Sequence, residues 1–267
     1  MTEGKKELNL AVLFDADNVP ASHVQEMLNE IAKYGAPSIK RIYGDWTKPN
    51  LGGWKAVLLE NAITPIQQYS YTTGKNATDS AMIIDAMDIL HSNKVDGFCI
   101  ISSDSDFTRL ATRLRESSKL VIGMGEKKTP RPFIVACDKF IYIENLGIDD
   151  EENQEENQEE APTQQAPASE QAKKPKAPKE KIGYAIIKLL TKTIDDLADD
   201  NDWVSLAEVG SLLLKKRPDF DPRNYGFPKL MPLIEACPKY FEMEKRKSEN
   251  GHAMHVFVRL RKTSTRV

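Results

Sequence analysis

Residues 99–110 read CIISSDSDFTRL, and the fold follows from how this stretch changes character. Phe98, Cys99, Ile100 and Ile101 suit a strand buried on both faces, as strands of parallel sheets are. Two serines follow, then Asp104 and Asp106, and from Thr108 to Leu114 the apolar residues recur at helical spacing. The strand stops where the carboxylates begin. In an open α/β sheet, ligands bind in the crevice outside the carboxyl ends of the strands, so acids at such an end are placed for chemistry. Leu10 to Phe14 repeats the arrangement and runs into Asp15, Asp17 and Asn18. Thr78 and Asp79 form a third such place, at the start of the helix-like run Ser80 to Leu90.

Around these points the chain alternates. Val24, Met27, Leu28 and Ile31 mark a helix, Ile39 to Tyr43 a strand, Trp54 to Ala62 a helix and Ile63 to Tyr69 a strand. Leu120 to Met124 and Phe140 to Ile143 supply two more strands, separated by a Lys/Pro-rich loop, EKKTPRP, at 126–132. The polar connection 70–77, with Gly74 and Lys75, is expected to be mobile. Strands separated by helical runs imply βαβ units and a parallel sheet covered on both faces, a fold of the α/β class. This body is expected to span residues 1–148. Residues 149–181 hold almost no large apolar side chain and are expected to be a disordered linker. From 182 to 267 the pattern changes to helices at Ile182 to Leu197, Leu206 to Leu214 and Phe227 to Ala236. Strands at Tyr240 to Lys245 and Met254 to Leu260 follow, joined by a turn at 248–251. Three helices and a hairpin describe a winged helix-turn-helix.

The formal net charge of -3 conceals an uneven distribution. Residues 1–148 hold 17 Lys and Arg against 18 Asp and Glu, residues 149–172 hold none against 9, and residues 173–267 hold 20 against 13. A basic tail behind a neutral body points to a polyanionic partner. Cys99, Cys137 and Cys237 are odd in number and far apart, which argues against a disulfide framework or a zinc site and for a reducing compartment. No signal peptide or membrane span is evident, so a cytoplasmic protein without a membrane partner is expected.

Carboxylates gathered at strand ends repel one another unless they are paired, and hard oxygen ligands suit Mg²⁺ or Mn²⁺. Such ions activate water and stabilise both oxygens of an in-line displacement at phosphorus, which makes phosphodiester hydrolysis the natural reaction class. Asp15, Asp79 and Asp104 are the expected ligands, with Asp106 either a ligand or a base that positions water. Asn18 is placed to orient a carboxylate or touch a phosphate, and Lys75 to bind a substrate phosphate. Each Asp also has a plainer reading as a helix cap. Asp85, about 240° around the helix from Asp79, is either peripheral or supporting. The four histidines suggest no covalent catalysis.

The motifs FDADN at 14–18, TDSAMIIDAM at 78–87 and SSDSDF at 102–107 together resemble the NYN domains, the LabA-like branch of the PIN-like nuclease superfamily. The resemblance spans roughly residues 8–146. It implies a Rossmann-like sheet, a Mg²⁺- or Mn²⁺-dependent acidic site and action on RNA. By position the family's acids fall on Asp15, Asp79, Asp104 and Asp106, with Asn18 as the polar companion. PIN nucleases commonly carry a further acid before the Asp79 helix, for which Asp45 and Glu60 are the candidates. The stretch Trp203 to Glu244, followed by VFVRL, resembles the OST-HTH or LOTUS domain, a winged helix found attached to NYN domains. That resemblance implies an RNA or protein partner. The basic residues Arg223, Lys229, Lys245, Arg246, Lys247, Arg259, Arg261 and Lys262 are expected to carry RNA contacts on the third helix and the wing.

The expected protein is therefore a metal-dependent ribonuclease with a tethered RNA- or partner-binding winged helix. A non-cleaving RNA-binding regulator is the alternative. A haloacid-dehalogenase-type phosphatase, with Asp15 as nucleophile and Asp17 as acid, is a further one. Motifs do not fix the oligomeric state.

Overall fold

The structure is a computed structural model and describes residues 7–69, 77–146, 182–198, 202–247 and 254–261. The expected linker 149–181, the turn 248–251, Lys75 and Lys262 lie outside the described residues, as does nearly all of the 70–77 connection. The chain divides into two compact units, Met1–Leu146 and Gly147–Val267.

In the first unit, strands β1 (Asn9–Asp15), β2 (Ala36–Gly44), β3 (Thr64–Gln67), β4 (Gly97–Ile101), β5 (Leu120–Gly125) and β6 (Lys139–Tyr142) form one sheet. Its order is β3-β2-β1-β4-β5-β6, and every pairing is parallel. Consecutive residues of a strand face opposite sides of the sheet. Leu10, Val12 and Phe14 therefore meet helices α1 (Val24–Ala32) and α2 (Trp54–Glu60) on one side, in a core with Ile31 and Trp54. Ala11 and Leu13 meet α3 (Ala77–Ser92), α4 (Thr108–Glu116) and α5 (Arg131–Ala136) on the other, in a core with Met82, Phe107 and Phe133. Both faces are covered, which is why Leu10 to Phe14 of β1 and Phe98 to Ile101 of β4 are all apolar.

In this unit β2 starts at Ala36 rather than Ile39 and β3 is confined to Thr64–Gln67 rather than Ile63 to Tyr69, and two further differences have a local cause. Residues 131–136, at the end of the expected loop, form α5. Pro132 falls within the first turn, where its missing N–H costs no hydrogen bond, and Phe133, Ile134 and Ala136 are buried. Helix α2 ends at Glu60 rather than Ala62, because Ala62 adopts a φ of 50°.

The second unit holds α6 (Tyr184–Asp195), α7 (Leu206–Lys216) and α8 (Leu230–Glu235). Strands β7 (Val204–Ser205), β8 (Phe241–Lys247) and β9 (Met254–Leu260) pair in the antiparallel order β7-β9-β8. Ile186, Leu190, Val209, Leu213, Leu233 and Val258 fill its core. The third helix begins at Leu230, later than the expected Phe227. Pro222–Tyr225 make a separate 3-10 turn closed by Gly226 at φ 85°, and Lys229 is extended. A side chain at the Gly226 angle would be strained.

Candidate functional site

The strand order changes direction between β1 and β4, so the crevice at their carboxyl ends is the topological switch point of the sheet. Asp15 is the last residue of β1, and Ser102, Ser103 and Asp104 directly follow β4. Asp79 sits in the first turn of α3, which covers the sheet face that Asp15 points toward.

Short hydrogen bonds hold these residues. Asp104 caps the 3-10 turn Ser105–Phe107 by accepting the Asp106 amide at 2.9 Å. Its own amide donates to Ser102 Oγ at 3.0 Å, and Ser102 Oγ donates to Asp15 Oδ2 at 2.7 Å. Asn18 Nδ2 also donates to Asp15 Oδ2 at 2.7 Å, and the Asp17 amide donates to Asp15 Oδ1 at 3.2 Å. Ser102 thus bridges the ends of β1 and β4. Neither it nor Ser103, which accepts the Glu126 amide at 2.9 Å, was singled out from the sequence. The signal was the pair of small hydroxyls between strand and acids, side chains that bond readily to nearby backbone.

Asp79, Asp104 and Asp106 each offer an oxygen within 4.8 Å of the others. Burial pushes the Asp79 carboxyl up to about 6, and the charges of Asp15, Asp104, Asp106 and Asp17 push the same way. Asp15, 1 % exposed, is also raised by burial, against the hydrogen bonds of Ser102 and Asn18. The sequence put Asp15 on the same footing as the other acids. Asp15 is a buried carboxylate braced by hydrogen bonds, and the group of three close oxygens is made by Asp79, Asp104 and Asp106. Three close carboxylates are a hard, anionic donor set that fits a hard divalent cation.

Asp85 is turned toward β2, where it takes the Arg41 guanidinium and the Tyr43 hydroxyl. Burial and the adjacent Asp85 hold the Tyr43 hydroxyl well above its usual range. Asp45 is buried and accepts Thr47 Oγ1 at 2.6 Å and Gln67 Nε2 at 3.0 Å, and Glu60 is exposed on α2. None of these three belongs to the acidic group.

In the second unit the expected basic surface divides. Arg223 is 8 % exposed and its Nη2 donates to Asp221 at 2.7 Å, so it is a buried partner and not a surface contact. Arg259 and Arg246 lie on one face of the hairpin, 4.5 Å and 5.4 Å from the Trp203 ring centroid, and pair with Glu242 and Glu244. Alternation along β8 puts Lys245 and Lys247 on the opposite face, exposed. Lys229 and Arg261 are also exposed.

An open parallel sheet with acids gathered at its switch point defines a Rossmann-like domain with an acidic pocket. The chain belongs to the NYN domain family, whose model matches residues 9–144, and this family is part of the PIN-like nuclease superfamily. Residues 176–253 match the OST-HTH/LOTUS domain, a domain that binds RNA. Among solved structures the chain is similar to a protein of unknown function from Vibrio parahaemolyticus RIMD 2210633. The two are 18% identical, with 53% of this chain and 96% of that one covered and a TM-score of 0.45. It is also similar to an uncharacterised protein of Nitrosomonas europaea, at 27% identity, 39% and 97% coverage and a TM-score of 0.31. No curated protein matches the chain. Among the described residues no helix is long and apolar enough to cross a membrane.

Proposed function

We propose that the first unit hydrolyses RNA phosphodiester bonds with Mg²⁺ or Mn²⁺ and that the second unit binds RNA and recruits it. The observation that carries this reading is the group of Asp79, Asp104 and Asp106, with oxygens within 4.8 Å, at the mouth of the switch-point crevice. These three would hold the ion, which when bound supplies positive charge against phosphoryl oxygens and makes water acidic enough to attack near neutral pH. Asp104 is fixed by its cap to the Asp106 amide, and Ser102 ties its backbone to Asp15. Asp106, the most exposed of the group, orients the attacking water by accepting its hydrogen bond. Asp15, held by Ser102 and Asn18, fixes the end of β1 beside the pocket.

Purified full-length protein is expected to cut end-labelled single-stranded RNA with Mn²⁺ or Mg²⁺ and to stop when a chelator is added. Cleavage should rise as pH passes through about 6, because Asp79 must lose its proton to hold the ion. For metal-free folding the sign is opposite. Asp79 is raised above 3.8, so the native chain keeps a proton that the unfolded chain loses, and stability falls as pH climbs from about 4 to about 6. RNA binding with no cleavage under any ion would replace this reading with that of a non-cleaving regulator.

The divided wing makes its own prediction. Each phosphate contact on a single strand contributes about 0.7 to the slope of log affinity against log salt. Changing Lys245 and Lys247 to Ala should lower that slope by about 1.4. Changing Arg246 to Ala, which removes a guanidinium held over the Trp203 and Phe257 rings, should leave the slope as it was. Titrations of a fluorescent RNA at several salt concentrations check both.

A further inference from the structure

The EKKTPR segment at 126–131 plays no part in the acidic site, yet the structure ties it to that site in three ways. Gly125, the last residue of β5, has no side chain where a Cβ would stand 2.5 Å from the Ser102 carbonyl oxygen, so the ends of β5 and β4 approach closely. The Glu126 amide donates to Ser103 Oγ at 2.9 Å. Helix α5 packs against the turn that carries Asp106, with the Phe133 and Phe107 ring centroids 6.5 Å apart. The turn itself is held firmly. Thr129 is buried and its Oγ1 donates to the Glu126 carbonyl at 2.6 Å, while the Lys127 amide donates to Glu144 Oε1 at 2.9 Å.

This segment carries Lys127, Lys128 and Arg131 against the single acid Glu126. Lys128, which pairs with Glu126, and Arg131 are exposed. A firmly held basic turn thus stands beside a pocket lined with carboxylates. A polyanionic strand laid across the acids alone meets repulsion on either side of the reacting phosphate, and a fixed cationic edge offsets it. We infer that the turn at 126–131 is a rail for the backbone of single-stranded RNA, with Lys128 and Arg131 each taking a phosphate next to the one that is cut. The inference deepens the ribonuclease reading and rests on it for the identity of the strand.

The test uses the full-length chain and a short end-labelled single-stranded RNA. Binding is measured in chelator at several salt concentrations, so the result does not depend on cleavage. Changing Lys128 and Arg131 together to Ala should weaken binding roughly tenfold and lower the salt slope by about 1.4. In the cleavage assay the same variant should raise KM roughly tenfold and change kcat less than about threefold. A charge-keeping variant, Lys128→Arg with Arg131→Lys, should retain most of the slope, which a loss caused by misfolding would not. An unchanged slope and KM, or no RNA binding by the wild-type chain, would overturn the rail. A reduced slope in a chain that never cleaves would leave the rail standing and remove the nuclease reading. Cleavage with an unchanged slope would do the reverse.

Discussion

Asp104→Asn is expected to lower metal-dependent RNA cleavage by about 10²- to 10³-fold while leaving the fold intact. A loss of this size corresponds to about 3 to 4 kcal/mol of transition-state stabilisation, the scale of removing one preorganised electrostatic group. Asparagine has the same shape and keeps an oxygen that accepts the Asp106 amide, so the 3-10 turn Ser105–Phe107 retains its cap. The amide of residue 104 still donates to Ser102, because that bond uses the backbone. What disappears is one of the three charges that would hold the ion. The substitution also removes one of the repulsions that hold Asp79 near 6, so any residual activity should rise at a lower pH than in the wild type. A merely structural fault would not move that profile in this direction. Asp88→Asn, an exposed change on α3 outside the acidic group, should leave cleavage as it was. Equal cleavage by wild type and Asp104→Asn would separate the activity from this pocket.

The parts of the molecule that could be read from sequence are those where one local signal decides the structure. The apolar runs of β1 and β4 followed by acids are such a signal, since buried parallel strands need apolar residues on both faces and the crevice falls at their ends. The capping reading of Asp104 and its place in the acidic group turned out to be compatible. The cap uses one Asp104 oxygen to accept the Asp106 amide, and the side chain still reaches Asp79. Where tertiary packing decides, sequence was silent. Nothing in FDADN distinguishes a carboxylate that faces the crevice from one that is 1 % exposed and held by Ser102, a residue 87 positions away. Likewise, alternation in EKRK at 244–247 implies two faces, but it takes Trp203 and Phe257 to show that the face of Arg246 is already occupied. Helix α5 was hidden because its two prolines, Pro130 and Pro132, read as breakers when the chain uses them to start it.

Arg223 gives the other large effect, on stability. Asp221 accepts the Arg223 amide at 2.9 Å, which caps the turn Pro222–Tyr225, and the same carboxylate takes the guanidinium through Nε at 3.1 Å and Nη2 at 2.7 Å. The two residues are 7 % and 8 % exposed. Asp221→Ala would remove the cap and take from a buried guanidinium the carboxylate that accepts its Nε and Nη2. Breaking a buried pair on one side costs about 3 to 5 kcal/mol, and losing a cap adds roughly 1. Domains of this size hold about 5 kcal/mol or a little more. The second unit should therefore be close to unfolding at room temperature, with its melting transition lowered by about 15 to 30 °C. Calorimetry should show this shift in one transition only, because the first unit has its own core. Adding Arg223→Met to Asp221→Ala should recover part of the loss, because it removes the buried charge that Asp221 balanced and keeps apolar volume. Recovery in the double variant is the outcome that a lost cap alone does not give. If Asp221→Ala instead cost less than about 1 kcal/mol, Asp221 would not be what holds the guanidinium in place, and the buried-pair reading of Arg223 would fall.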